Sequence, residues 1–135
     1  MLTVQTPHRG SDDWGSGAYK ASRGHRDHNG IDYVASPGSL LRSPISGTVS
    51  KLGYPYASDL SMRYIEVTDS LQKKHRFFYV LPSKVVGDYV EEGDLIGVVQ
   101  DVASKYTTED KVMKNHIHYE IKDRNGEYLN PEGEY

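Results

Sequence analysis

Apolar and polar residues alternate along most of the chain with a period of two, the spacing of strands that bury one face. Residues 46 to 52, Ser-Gly-Thr-Val-Ser-Lys-Leu, predict a strand leaving a tight turn at Pro44 to Gly47. Residues 63 to 67 predict a second, Thr68-Asp69-Ser70 a turn, and Lys74 to Val80 the returning partner. Past Pro82, glycines recur at 87, 93 and 97, as in a chain that bends sharply before entering a strand at Leu95 to Gln100. Residues 101 to 114 are polar and irregular, with room for a helical turn only in 103 to 113. Asn115 to Lys122 predicts the last strand, closed by the turn Asp123-Arg124-Asn125-Gly126. There is no internal repeat, heptad or low-complexity segment.

Composition agrees with strands, since tyrosine (11 residues), glycine (13) and β-branched residues are abundant. A length of 135 residues suits one domain. With 16 Lys+Arg against 19 Asp+Glu, the net charge of -3 offers no basic field for a phosphate backbone, so nucleic acid is excluded as a partner. Nowhere does an apolar run approach the roughly 20 residues that span a bilayer, so membrane insertion is not expected. The first residues lack the charged and apolar regions of an export signal, so none is expected. The chain has no cysteine, and any transition-metal site must therefore use carboxylates and the six histidines.

In Asn115-His116-Ile117-His118-Tyr119-Glu120-Ile121, alternation puts His116, His118 and Glu120 on one face and Ile117, Tyr119 and Ile121 on the other. Upstream, His28-Asn29-Gly30-Ile31-Asp32 sets an imidazole and a carboxylate around an Asn-Gly turn. Neither pair suffices, because zinc takes at least three protein ligands; together they supply His, Asp and His with a fourth position for water. Taken alone, His116 and His118 leave metal binding and ordinary hydrogen bonding both open. His8 and His25 read as surface or hydrogen-bonded residues.

The segments Arg26 to Tyr33, Pro37-Gly38-Ser39 and Ser43 to Val49 resemble the first motif block of the LytM/lysostaphin zinc endopeptidases. Val85 to Val98 is similar to that family's bend before its penultimate strand, His116 to Ile121 to its closing His-x-His strand, and Asn130-Pro131 to its usual ending. The resemblance implies a mainly β, two-layer antiparallel domain of the LytM/lysostaphin (duplicated hybrid motif) type, with zinc in a groove. It implies His28, Asp32 and His118 as ligands, and His116 acting on the water. The implied reaction is hydrolysis of peptide bonds in peptidoglycan stem peptides or cross-bridges. On this reading residues 1 to 22 are an N-terminal arm and 23 to 135 the LytM-type zinc-binding domain. The arm holds the chain's only tryptophan, in Ser11 to Tyr19, and reads as packed on the sheet or as a groove wall; residues 101 to 114 read as a solvated loop or a second wall.

The sequence departs from the family at Phe77-Phe78-Tyr79-Val80-Leu81-Pro82, where active members carry a Tyr-x-His histidine that stabilises the oxyanion. The alignment puts Leu81 in its place. His75 lies six residues earlier, about 20 Å along an extended strand, too far to substitute. Tyr79, expected on the face of Leu81, carries a hydroxyl able to donate to an oxyanion, but reads first as a core aromatic with its hydroxyl satisfied nearby; Tyr33 is a weaker candidate. A similar aromatic-Tyr-x-x-Pro stretch occurs in the vertebrate leukocyte cell-derived chemotaxin, which has this zinc fold without that histidine and is regarded as a non-enzymatic binder. Two readings follow: a zinc metalloendopeptidase, or a non-catalytic zinc-stabilised module binding cell wall or a protein partner. Degenerate LytM domains that activate amidases lose the zinc ligands, which are present here. The short, unsignalled chain is expected to act at the bacterial cell wall as a bacteriophage product, beside virion proteins or after lysis.

Overall fold

Alternating segments become antiparallel strands, and among the described residues the one helical turn falls inside 103 to 113. The computed structural model describes residues 11–12, 15–16, 30–106 and 114–131. Its strands are β1 (Ser11–Asp12), β2 (Gly15–Ser16), β3 (Ile31–Val34), β4 (Leu40–Arg42), β5 (Gly47–Gly53), β6 (Tyr64–Thr68), β7 (Lys74–Phe78), β8 (Val80–Pro82), β9 (Tyr89–Val90), β10 (Leu95–Val99), β11 (His116–Lys122) and β12 (Tyr128–Leu129). The helical turn α1 (Ala103–Tyr106) separates β10 from β11.

The larger sheet runs β12-β11-β7-β6-β5-β9. Its β3 pairs with His116 to Tyr119 of β11, beside β12 and on the edge away from β7. A smaller sheet has the order β4-β10-β8, and β1 pairs with β2 alone. One face of the larger sheet carries Ile31, Tyr33, Val49, Ile65, Val67, Phe77, Ile117, Tyr119 and Ile121, which join Leu41, Val80, Ile96 and Val99 of the smaller sheet in one buried cluster. Burying each such side chain is worth about 1.5–3 kcal/mol, so this face fixes how the two layers stack. The Phe77 and Tyr119 rings stack at 4.6 Å within it. Gly87 and Gly93, at φ +100° and +93°, make the sharp bends on either side of β9, in a region where residues with a Cβ are strained.

Two expectations are corrected. β11 is not the last strand, since after the turn at Asp123 to Gly126 the chain returns as β12 and pairs with Ile121 and Lys122. Lys74 to Val80 is two strands in two sheets, because Tyr79 adopts φ +68° and breaks the pleat between β7 and β8. The Tyr79 N–H donates to the Arg63 carbonyl at 2.8 Å, and its carbonyl accepts from Gln100 N–H at 2.9 Å. These bonds hold the switch point where the chain leaves one layer for the other.

Candidate metal centre

Strand register builds the site. His118 pairs with Asp32 on one side and with Phe78 on the other, and Phe78 pairs with Tyr64. One rung on the face opposite the core therefore reads Asp32, His118, Phe78, Tyr64. His118 Nδ1 lies 3.0 Å from Asp32 Oδ1, and the Phe78 ring meets the imidazole edge-on at 5.2 Å. Gly30 precedes β3 where a Cβ would overlap the Tyr119 carbonyl oxygen and stand 2.9 Å from the His118 ring. Only glycine lets this segment close over β11.

His116 stands one rung along, opposite Val34. Its Nδ1 is 2.8 Å from the Lys114 carbonyl, which only accepts, so Nδ1 carries a proton and donates. Its Nε2 lies 3.8 Å from Asp32 Oδ2. The start of the strand is pinned by Asn115, whose side-chain amide donates to the carbonyls of Ala35 (2.7 Å) and Gln100 (3.0 Å) and accepts from Ala103 N–H (3.0 Å).

The Tyr79 ring meets the His116 ring edge-on at 5.4 Å, and its hydroxyl is 3.0 Å from that of Tyr56. Leu81 is elsewhere. It pairs with Val98, which pairs with Leu40, on the smaller sheet, and is 49% exposed there. Tyr79 and Leu81 thus do not share a face, and the side chain set against His116 is Tyr79. Tyr33 is buried in the core opposite Ile117, away from the site. His75 is also on the core face, fully buried between the Tyr119 hydroxyl (Nδ1, 2.7 Å) and Asp69 (Nε2, 2.9 Å).

Two donors of tetrahedral zinc with bonds near 2.0–2.1 Å stand about 3.3 Å apart, so Asp32 Oδ1 and His118 Nδ1 form such an edge after a small opening. Among the described residues no three His, Cys, Asp or Glu side chains gather as a metal-holding group. His28, the third implied ligand, lies outside the described residues. Burial opposes charge on His118, but hydrogen bonds to Asp32 and Glu120 outweigh it and push the imidazole up to about 9.

Three side chains stand beside the rung, and two of them were not legible as partners of the site. Glu120 Oε1 is 3.0 Å from His118 Nε2, and Arg76 lies between Glu120 and Glu66. Glu120 was visible as a residue in phase with His118; the other two needed the register.

The chain is similar to known proteins in sequence and fold. The family model of Peptidase family M23 matches residues 26–131. Mouse leukocyte cell-derived chemotaxin-2 is 26% identical over 117 residues, which cover 83% of this chain and 71% of that protein. The structure of Helicobacter pylori Csd3 is 23% identical at a TM-score of 0.64, over 98% of this chain and 33% of Csd3. The chain thus spans a third of that protein. The catalytic domain of the antimicrobial peptidase lysostaphin from Staphylococcus simulans is 20% identical at a TM-score of 0.63, over 86% of this chain and 84% of that domain. These structures share the two-sheet β-fold. The family match takes in every strand from β3 to β12, with the Asp32 and His118 rung inside it, and the chain is therefore a member of peptidase family M23.

Proposed function

We propose that this chain is a zinc metallopeptidase that hydrolyses peptide bonds in the stem peptides or cross-bridges of bacterial peptidoglycan. His28, Asp32 and His118 hold the ion, and His116 is the general base. The observation that carries the reading is the 3.0 Å approach of Asp32 Oδ1 and His118 Nδ1, with His116 Nε2 3.8 Å from the other Asp32 oxygen. Bound there, zinc supplies Lewis acidity, polarising a carbonyl and lowering the pKa of water toward about 7.

His116 is prepared for proton transfer, since the Lys114 carbonyl fixes Nδ1 as the donor and leaves Nε2 as the basic nitrogen toward Asp32. Nε2 takes the proton of the attacking water and returns it to the leaving amine. Phe78 and Tyr79 wall the site with rings against His118 and His116. The Tyr79 hydroxyl donates to the carbonyl oxygen as it gains negative charge, in place of the histidine other members use. Such a substrate puts the site of action at the bacterial cell wall.

A second reading, a zinc-stabilised module that binds without cutting, is favoured by the likeness to chemotaxin-2. Hydrolysis of purified peptidoglycan by the zinc-loaded protein separates the two, with released amines as readout and His116→Ala as control. Zinc-dependent release that disappears in the variant supports the peptidase. One tightly held zinc per chain with no release establishes the binding module.

A further inference from the structure

The rung beside the metal-site rung is ionic. Register sets Glu120 opposite Arg76 and Arg76 opposite Glu66, on the face that carries His118. Glu120 Oε1 is 3.0 Å from His118 Nε2, and Glu120 Oε2 is 3.7 Å from Arg76 Nη1. Arg76 Nε donates to Glu66 Oε2 at 2.6 Å, and Ser50 Oγ donates to Glu66 Oε1 at 2.8 Å. Glu66 and Glu120 are 3% and 6% exposed. Carboxylates buried this far are costly unless paired and hydrogen-bonded, and this ladder partners both.

We propose that Glu120, braced by Arg76, is the positioning residue that fixes the orientation and tautomer of His118, and that Glu66, Arg76 and Glu120 together form the outer support of the metal centre. The inference rests on the metal reading above. His118 lies between two carboxylates, both acceptors. A ring that binds a cation through one nitrogen carries its proton on the other. Asp32 is on the Nδ1 side, so Nδ1 faces the ion and Nε2–H donates to Glu120. The Nε2–Glu120 contact distinguishes this orientation from a half-turn of the ring about Cβ–Cγ, which would set a C–H against the carboxylate. Arg76 holds the second oxygen of Glu120, and its short bond to Glu66 keeps the guanidinium from swinging toward the imidazole contact. A ligand histidine whose other N–H donates to a carboxylate is a general device for raising affinity and setting direction.

The test is zinc affinity of the full chain, measured by competition with a chromophoric chelator, together with ¹⁵N NMR of the His118 ring in the zinc-loaded protein. Glu120→Ala is expected to weaken zinc binding about 10- to 100-fold. Glu120→Gln keeps an oxygen that accepts from Nε2–H and is expected to lose far less; Arg76→Lys, which keeps the charge without the planar fork, falls between. The ring of the unsubstituted protein should carry its proton on Nε2. A folded Glu120→Ala chain that binds zinc as tightly as the parent, or a His118 proton found on Nδ1, overturns the inference and leaves the metal reading standing. Equal losses in Glu120→Ala and Glu120→Gln overturn the tautomer assignment, since charge alone would then be acting. If the parent protein holds no zinc, the metal reading falls and this inference with it. Should Glu120→Ala fail to fold, the parent tautomer and the Arg76→Lys affinity decide.

Discussion

Replacing Tyr79 with Phe removes one hydroxyl and keeps the ring that meets His116 edge-on at 5.4 Å. The hydroxyl has the Tyr56 hydroxyl at 3.0 Å, and losing a hydrogen bond of this kind costs about 0.5–1.5 kcal/mol of stability. Its effect on rate is larger if it donates to the developing oxyanion: about 10²- to 10³-fold in kcat, or about 2.7–4 kcal/mol. The two effects therefore separate. Tyr56→Phe deletes the other half of the pair and costs similar stability, but leaves the donor in place, so its rate should fall much less. The assay is initial-rate release of amines from peptidoglycan by zinc-loaded protein over a range of substrate concentrations, with urea unfolding in parallel. An interaction made only in the transition state lowers kcat and kcat/KM together and leaves KM unchanged. An unchanged kcat in Tyr79→Phe, with His116→Ala inactive, would refute the donor role and leave Tyr79 as a wall of the site.

Other perturbations follow from the same geometry. Gly30→Ala drives a methyl group into the Tyr119 carbonyl and the His118 ring, and overpacking of that kind costs about 1–3 kcal/mol; weaker zinc binding should accompany the lower urea midpoint, and an unaltered midpoint would sink the idea. Burial holds the His75 imidazole below its usual value, with Asp69 only partly offsetting this, so the unfolded chain takes up a proton first and stability should fall as pH drops below about 6.5 toward the folded pKa. His75→Phe should flatten that slope, while costing about 0.5–1.5 kcal/mol above pH 7 through the lost hydrogen bond to the Tyr119 hydroxyl; urea midpoints across pH that keep their slope would count against it. Zinc that binds the folded chain alone should raise its stability by about 2.7 kcal/mol at a hundred times Kd, and thermal unfolding with and without a chelator measures this.

The strands were legible because alternation survives wherever one face is buried, as along β5, β6 and β11. The switch between sheets was not. A left-handed residue is signalled in sequence by glycine, and here it is Tyr79, so the pattern read as one continuous strand. Extending the alternation past that point put Leu81 on the face of Tyr79, and a break in the pleat reverses every side chain that follows. Glu66 and Arg76 were hidden for a related reason. Each lies on a different strand, and only pairing across β6, β7 and β11 brings them to Glu120.

Register also decides between the two histidines of β11. His116 and His118 share a face, so spacing alone does not say which joins Asp32; a slip of β3 by two residues would preserve every apolar contact face and pair Asp32 with His116 instead. The structure resolves this through packing and anchoring. Ile31 sits opposite Tyr119 and Tyr33 opposite Ile117 in the core, Gly30 allows the close approach to Tyr119, and Asn115 ties the start of β11 to Ala35. With those contacts made, Asp32 falls opposite His118 and Val34 opposite His116. The core face thus selects one histidine to stand beside the carboxylate and the other to stand one rung away, and that difference in position underlies the difference in role proposed for them.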